Sequence, residues 1–337
     1  ESKVFVKAAG NEHRLASGTT CAPHNANFPF ENESPFLIIV GAVSSISANP
    51  TLNHTAIKST YSNTGSNIWV SAPGGEYGKD SPAIITTDLP TCFKGYSKAV
   101  PLPVNSFEYG HSLNLACLYT SSMNGTSSAA PMVTGVVALM LEANPALKMR
   151  DIKHILANSS VKINPNHLDN YFGKTHPSDA LSGCGSGNLI GHEYEQGWVT
   201  NAAGYDFNNF YGFGMVDALA AVNAAKVYSS TIGTLVEQNQ DFNIAKYSSG
   251  SINQAIPDGD ATGSSHGITI AGGDTLKVES VQVKVKVSHG RSGELGVELE
   301  SPSGTKSILM NINNSFLLLD TNNDGSLEGD SDLNIVL

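Results

Sequence analysis

A chain of 337 residues is long enough for two domains with cores of their own, and its formal net charge of −11 has the wrong sign for gripping a phosphate backbone. Hydrophobic residues make up 40% and charged residues 15% of it, which excludes a disordered polyelectrolyte. The densest basic stretch, Lys277 to Lys286, alternates as one solvated strand face, and no apolar run approaches the roughly 20 residues that cross a bilayer.

In chain order, Glu1 to Gly10 lacks the basic start and apolar middle of a signal peptide. It reads instead as a buried strand, Val4-Phe5-Val6, that starts abruptly and leads into Ala8-Ala9-Gly10; Glu1 is therefore not expected to be the start of a natural domain. Phe36-Leu37-Ile38-Ile39-Val40 is a second such run. Neither alternates, as expected of strands buried on both faces of a parallel α/β sheet. Ile68-Trp69-Val70 is a strand stopped by Ser71-Ala72-Pro73-Gly74, and Ile84 to Thr87 is another short one.

The clearest helix starts at Ser127, with Val133, Val136, Val137, Met140 and Leu141 at helical spacing and Asn144-Pro145 as its end. Pro131 is assigned to its first turn, where a missing N–H costs little. Further helices are expected at about Lys148 to Leu156 and Val216 to Val227, with a long polar loop region, Ser159 to Phe210, between them. After Tyr228 the pattern changes to ten alternating positions, Val278 to Val287, then Leu295 to Leu299, with Gly, Ser, Asn and Pro in the gaps. That predicts an antiparallel β-sandwich and a boundary near residue 229, giving regions 1–229 and 230–337.

Four cysteines, Cys21, Cys92, Cys117 and Cys184, contain no CxxC pair, which disfavours zinc and permits two disulfides. Cys92 and Cys117 bracket one loop and are expected to pair. Cys21 with Cys184 is the remainder, with free thiols and a partner outside the chain as open alternatives.

The chemistry centres on Asn124-Gly125-Thr126-Ser127-Ser128-Ala129-Ala130-Pro131. A serine at a helix start has unpaired N–H groups and the positive end of the dipole beside its oxygen, a setting for a nucleophile whose attack creates an oxyanion. An ordinary serine N-cap shares that local sequence. The wider order decides: Ala8-Ala9-Gly10-Asn11, then Ser71-Ala72-Pro73-Gly74, then Gly-Thr-Ser-x-Ala-x-Pro resembles the subtilisin family of serine proteases. Trp198 to Gly204, Tyr211 to Ala218 and Ile85-Thr86-Thr87-Asp88-Leu89 resemble its kexin- or furin-like branch, and Ser301-Pro302-Ser303-Gly304-Thr305 resembles the P-domain that accompanies that branch. The long loops Phe93 to Ala116 and Asn166 to Glu195 point to a bacterial relative.

The resemblance implies a subtilisin-like parallel α/β sheet followed by a jelly-roll-like P-domain, with truncation at Leu337 an open alternative, in a secreted, calcium-assisted serine endopeptidase. Ser127 takes the nucleophile position and Asn11 that of the side-chain oxyanion donor, with the Ser127 N–H as the other donor. Ala8, Ala9 and Gly10 form one wall of the primary specificity pocket, and Thr126 joins them among the substrate-binding residues. Polypeptides are the implied substrates, with a propeptide or chaperone as a further partner.

Two departures limit the transfer. In this family the catalytic Asp and His precede the asparagine, whereas only one strand precedes Asn11 here. His13, His24, His54 and His111 stand in none of the expected contexts and read as loop or surface residues. The triad Asp and His are therefore expected in a preceding portion of the enzyme, and this chain alone is expected to be inactive. The family's preference for basic residues also lacks its acidic partner: Arg14 to Phe30 contains no Asp or Glu.

A calcium loop is expected at Asp320, Asn322, Asp324, Ser326, Glu328 and Asp330, with Gly325 at the sharp turn; position twelve is Ser331, so Asp330 or Asp332 would close the site, and a solvated acidic turn is the alternative. Two rivals carry different functions. A scaffold that had lost catalysis would need neither Ser127 nor Asn11, and a sugar-binding sandwich would want an aromatic stripe, yet no Trp follows Trp198.

Overall fold

The computed structural model describes residues 3–13, 16–17, 20–21, 24–45, 56–78, 81–98, 105–109, 111–165, 196–229, 247–260, 262–270, 278–312, 314 and 333–337. Strand β1 (Phe5–Ala8) is followed by a small antiparallel ladder of β2 (Ala16–Ser17) and β3 (Thr20–Cys21). The long β4 (Leu37–Ser45), then β5 (Ala56–Lys58) and β6 (Ile68–Pro73), complete the main sheet. β1 and β6 run parallel to β4 on opposite edges, and the short β5 pairs antiparallel with its last residues. The registers Ala8 with Val40 and Val43 with Pro73 bring the carboxyl ends of β1, β4 and β6 to one rim, where open α/β sheets place their ligands.

The alternation of β4 shows why its sequence is apolar from Leu37 to Val43. Ile38, Val40 and Ala42 face one core, while Ile39 and Val43 face two clusters on the other side. The first core is built by α1 (Thr126–Ala143), α2 (Met149–Ser159) and α3 (Ala218–Val227), with Val133, Met140, Ile152 and Ala221 wholly buried. Each full burial of a residue of Val to Met size stabilises by about 1.5–3 kcal/mol. By length and composition the 18-residue α1 could cross a membrane, but here it is the central helix against β1, β4 and β6. The opposite face is covered by the segments around Ala26 and around Phe210 and Tyr211.

Two helix starts differ from expectation. α1 begins at Thr126, so Pro131 is its sixth residue, past the first turn, and cannot donate to the Ser127 carbonyl. α3 begins at Ala218 because Val216 N is still bonded to Ser71 O at 2.9 Å; Asp217 then caps the helix by accepting from Ala220 N at 2.9 Å.

Before α1, β7 (Ile84–Thr87) pairs antiparallel with β8 (Tyr119–Met123), a strand the sequence did not announce. Their connection carries the expected Cys92–Cys117 disulfide, with Cα atoms 5.1 Å apart. Cys184 lies outside the described residues, and so does the second pairing. β9 (Val199–Thr200) and β10 (Asp206–Phe207) form a short ladder before α3.

In the C-terminal region, β11 (Lys284–Val287) pairs antiparallel with β14 (Leu333–Val336), and β12 (Val297–Glu300) with β13 (Lys306–Met310). Lys284 and Lys286 face solvent, as their alternation predicts. Both ladders contribute to one core around Leu309, Met310, Leu333 and Leu337. This region is keyed to the main sheet's loops by asparagines: Asn25 and Asn27 donate to the Leu309 carbonyl at 3.1 and 3.0 Å, and Asn209 to that of Ile308 at 3.0 Å. Phe28 inserts into the same core.

Candidate active site

β1 hands the chain to the rim through a turn only glycine fits. Gly10 has φ +107°, and a Cβ there would fall 2.2 Å from Asn63 Nδ2. The turn brings Asn11 to the N-terminus of α1, 115 residues away in sequence. There its Oδ1 accepts from Thr126 N at 2.8 Å and from Thr126 Oγ1 at 2.9 Å. Thr126, wholly buried, also accepts from Gly10 N at 3.2 Å through the same hydroxyl. With its carbonyl oxygen held on Thr126, the Asn11 amide has one orientation, and its N–H donors face away from that residue.

The first turn of α1 leaves one donor open. Gly125, at φ +109°, is the cap position and has no side chain to cap with. Asn11 takes that role for Thr126 N, while Ser128 N and Ala129 N reach Gly125 O at 3.0 and 3.4 Å. Ser127 is exposed, and among the described residues neither its N–H nor its Oγ has a hydrogen-bond partner. A Cβ placed on Gly125 would lie 3.5 Å from Asn11 Nδ2 and 3.6 Å from Ser127 N. The two donors thus border one small space, and the missing side chain of Gly125 keeps it open. The helix dipole points its positive end into the same place.

The Ser71 to Gly74 motif serves close packing behind this space. A Cβ at Gly74 would sit 2.5 Å from Ala42 Cβ and 3.0 Å from Gly125 O, so the turn that precedes α1 rests directly on the end of β6. Ser128 Oγ lies 2.7 Å from Gly125 O and 3.1 Å from Gly74 O. Sequence reading missed Tyr61, whose Oη accepts from Gly125 N at 2.7 Å, and Asn63, which holds the Gly10 turn from below. Their only signal was a polar Tyr-Ser-Asn run ahead of a strand.

Gly10, Asn11, Thr126 and Ser127 are therefore brought together. Ala8 ends β1 beside them, and Ala9 is buried with its N bonded to Val40 O at 3.0 Å. No described histidine hydrogen-bonds Ser127. His13 and His24 are half-buried in loops rather than on the surface: His13 N donates to Tyr61 O at 3.2 Å, and the His24 ring lies 3.4 Å from Asn63 Nδ2. Burial holds His24 below its ordinary value, partly offset by the Glu12 carboxylate. His111 accepts from Leu113 N at 3.1 Å, and His154 sits between the hydroxyls of Tyr205 and Tyr228, 2.8 Å from each. His54 and the calcium candidates Asp320, Asn322, Asp324, Ser326, Glu328 and Asp330 lie outside the described residues. Among the described residues no three His, Cys, Asp or Glu side chains gather as a metal site.

Comparison with known proteins matches residues 1–175 to the subtilase family and residues 278–335 to the proprotein convertase P-domain. An extracellular serine protease of Aeromonas sobria is 35% identical over 330 residues, 94% of this chain and 49% of that protein. Human proprotein convertase subtilisin/kexin type 6 is 34% identical over 211 residues, 61% of this chain and 18% of that one. The crystal structure of the Aeromonas sobria serine protease superposes with a TM-score of 0.72 at 32% identity, covering 99% of this chain and 55% of that one. Its complex with a chaperone gives a TM-score of 0.71 at 30% identity, covering 100% of this chain and 55% of that one. The chain thus spans about half the length of the Aeromonas relative it matches.

Proposed function

Because this chain belongs to the subtilase family, with a proprotein convertase P-domain after its protease region, we propose that it supplies the nucleophile and the oxyanion hole of a serine endopeptidase. The observation that carries this reading is the shared space between Asn11 Nδ2 and Ser127 N, 3.5 and 3.6 Å from one point, beside a Ser127 that has no hydrogen-bond partner among the described residues.

In this reading Ser127 Oγ attacks a peptide carbonyl carbon and its proton passes to a histidine base. The carbonyl oxygen, now negative, sits between Asn11 Nδ2 and Ser127 N, both in place before the reaction starts. The C–N bond breaks as the base returns the proton to the leaving amine, and water then hydrolyses the acyl ester on Ser127 by the same steps. The base and the aspartate that orients it belong, on this reading, to polypeptide outside the present sequence, so this chain alone is inactive. Ala8, Ala9 and Gly10 wall the primary specificity pocket and Thr126 braces it. Residues 230–337 form the jelly-roll-like P-domain.

The enzyme is extracellular, takes polypeptides as substrates and calcium as a structural ion at Asp320 to Asp330, and has a chaperone or propeptide as partner. The Aeromonas relatives, one named extracellular and one crystallised with a chaperone, support that setting.

A fluorophosphonate probe tests the centre of this proposal. In the natural full-length polypeptide it should label Ser127 and stop hydrolysis, and Ser127→Ala should abolish both. Asn11→Ala should cost about 10²–10³ in kcat, the range for subtilisin-type oxyanion donors, with little change in KM. Labelling elsewhere, or hydrolysis that survives Ser127→Ala, removes the nucleophile assignment.

A further inference from the structure

We propose that the segment Ser59–Asn63, between β5 and β6, is the positioning element of the oxyanion hole, with Tyr61 gripping the nucleophile side and Asn63 the asparagine side. This rests on the reading of Ser127 and Asn11 given above.

Tyr61 is 6% exposed, and its hydroxyl is held among the backbone groups of Gly74, Gly75 and Gly125 with the Ser59 side chain beside it. It accepts from Gly125 N at 2.7 Å and lies 2.8 and 2.7 Å from the Gly74 and Gly75 carbonyls, to which its proton goes. Gly125, at φ +109°, is the cap residue from which the first turn of α1, carrying Ser127 N, departs. Two residues on, Asn63 is wholly buried and brackets Asn11 from both sides. Its backbone N donates to Gly10 O at 3.0 Å, and its Nδ2 to Ala9 O at 3.2 Å and Glu12 Oε2 at 2.9 Å. Its Oδ1 accepts from Glu12 N at 2.9 Å, and Glu12 Oε2 in turn accepts from Asn11 N at 2.8 Å.

The segment that carries both residues is itself fixed. The buried Lys58 ammonium donates to Ser59 O at 2.9 Å and Ser62 O at 2.8 Å. Ser59 Oγ donates to Gly75 O at 2.8 Å, and Thr60 N and Oγ1 donate to the Glu76 carboxylate at 2.6 and 2.9 Å. One short, rigid stretch therefore sets the separation between the two oxyanion donors, which lie 116 residues apart in sequence, on Asn11 and Ser127. A shift of about 1 Å at such a site costs on the order of 10²-fold in rate.

Tyr61 and Asn63 act through Asn11 and Ser127, so they are positioning residues, and a double-mutant cycle in the natural full-length polypeptide reads their role. Tyr61→Phe keeps the ring in the core and removes only the hydroxyl. It should lower kcat about 10- to 100-fold per Ser127 titrated by fluorophosphonate, with KM within about twofold. In an Asn11→Ala background the same change should cost less than about threefold, because the spacing the segment sets matters only while both donors are present. Asn63→Ala should behave alike. Glu12→Ala, at an exposed side chain, should give the same pattern at smaller amplitude even if the buried variants do not accumulate. A change confined to KM, or a kcat loss undiminished in the Asn11→Ala background, overturns the proposal. Ser127→Ala run alongside separates the two failures: if it retains hydrolysis, the nucleophile assignment itself is wrong.

Discussion

Lys153 lies with its ammonium 3.8 Å from the centre of the Trp69 ring and donates to Pro35 O and Leu37 O at 2.7 and 3.2 Å. Burial lowers its pKa from 10.5 to about 8. The unfolded chain keeps this proton up to its higher value, so between about pH 8 and 10.5 the unfolded state binds more protons and stability rises with pH. Below that window both states are charged, the slope vanishes and the cost of the buried ammonium remains. Urea midpoints measured at pH 7, 8, 9 and 10 should show the natural protein gaining on Lys153→Met only above about pH 8. No gain above pH 8 would show that the two carbonyls and Trp69 keep the ammonium charged throughout, and a gain of equal size below pH 8 would assign the pH dependence to other groups.

At the scale of elements, the β7–β8 hairpin is held by polar groups and one covalent link. The buried Glu108 carboxylate accepts from Ser121 N at 2.7 Å and from Thr120 Oγ1 at 2.9 Å, and Asn114 Nδ2 donates to Tyr119 O at 2.8 Å. The Cys92–Cys117 bridge closes a loop with a sequence separation of 25, which chain entropy values at about 3 kcal/mol. The pair of changes Cys92→Ser and Cys117→Ser should therefore open the stretch 93–116 to limited proteolysis while the core of α1 stays protected. Cleavage inside α1 at the same rate would mean the hairpin is not a separate unit.

The same hairpin marks where sequence reading stops. β4 and β6 were legible because burial on both faces leaves an apolar run, and α1 because Val133, Val137 and Met140 repeat at helical spacing; β1 was found as a strand, but its Phe5 is 57% exposed, so the expected burial on both faces does not hold there. β8 was not, since Tyr119-Thr-Ser-Ser-Met owes its pairing to Glu108 and Asn114, whose types are equally at home on a surface. In the candidate site, Ser127 and Asn11 stood out through their ordered motifs. Tyr61 and Asn63 did not, because their work depends on partners 64 and 54 residues away, Gly125 and Ala9.

At the scale of the molecule, the C-terminal ladders meet the main sheet through polar keys as well as through Phe28. Asn25 and Asn27 share one acceptor, the Leu309 carbonyl, while Asn209 takes the neighbouring Ile308. Asn25→Ala with Asn27→Ala should lower stability by about 1–3 kcal/mol, the cost of a buried carbonyl left without donors. Because either asparagine alone still satisfies the shared acceptor, the double change should cost more than the sum of the single ones, a difference that denaturant midpoints would resolve. Strict additivity would mean that the two asparagines act on separate parts of the contact.

The cap of α1 has a temporal consequence. Most helices complete their first turn with a residue of their own, within the time of local chain motion. Here the capping oxygen arrives from Asn11, across 115 residues, and such closures are slow compared with helix formation. As the chain folds, Ser127 can sit on a formed helix while its surroundings are still unfinished, so the candidate site is completed by that long-range closure, after the helix itself.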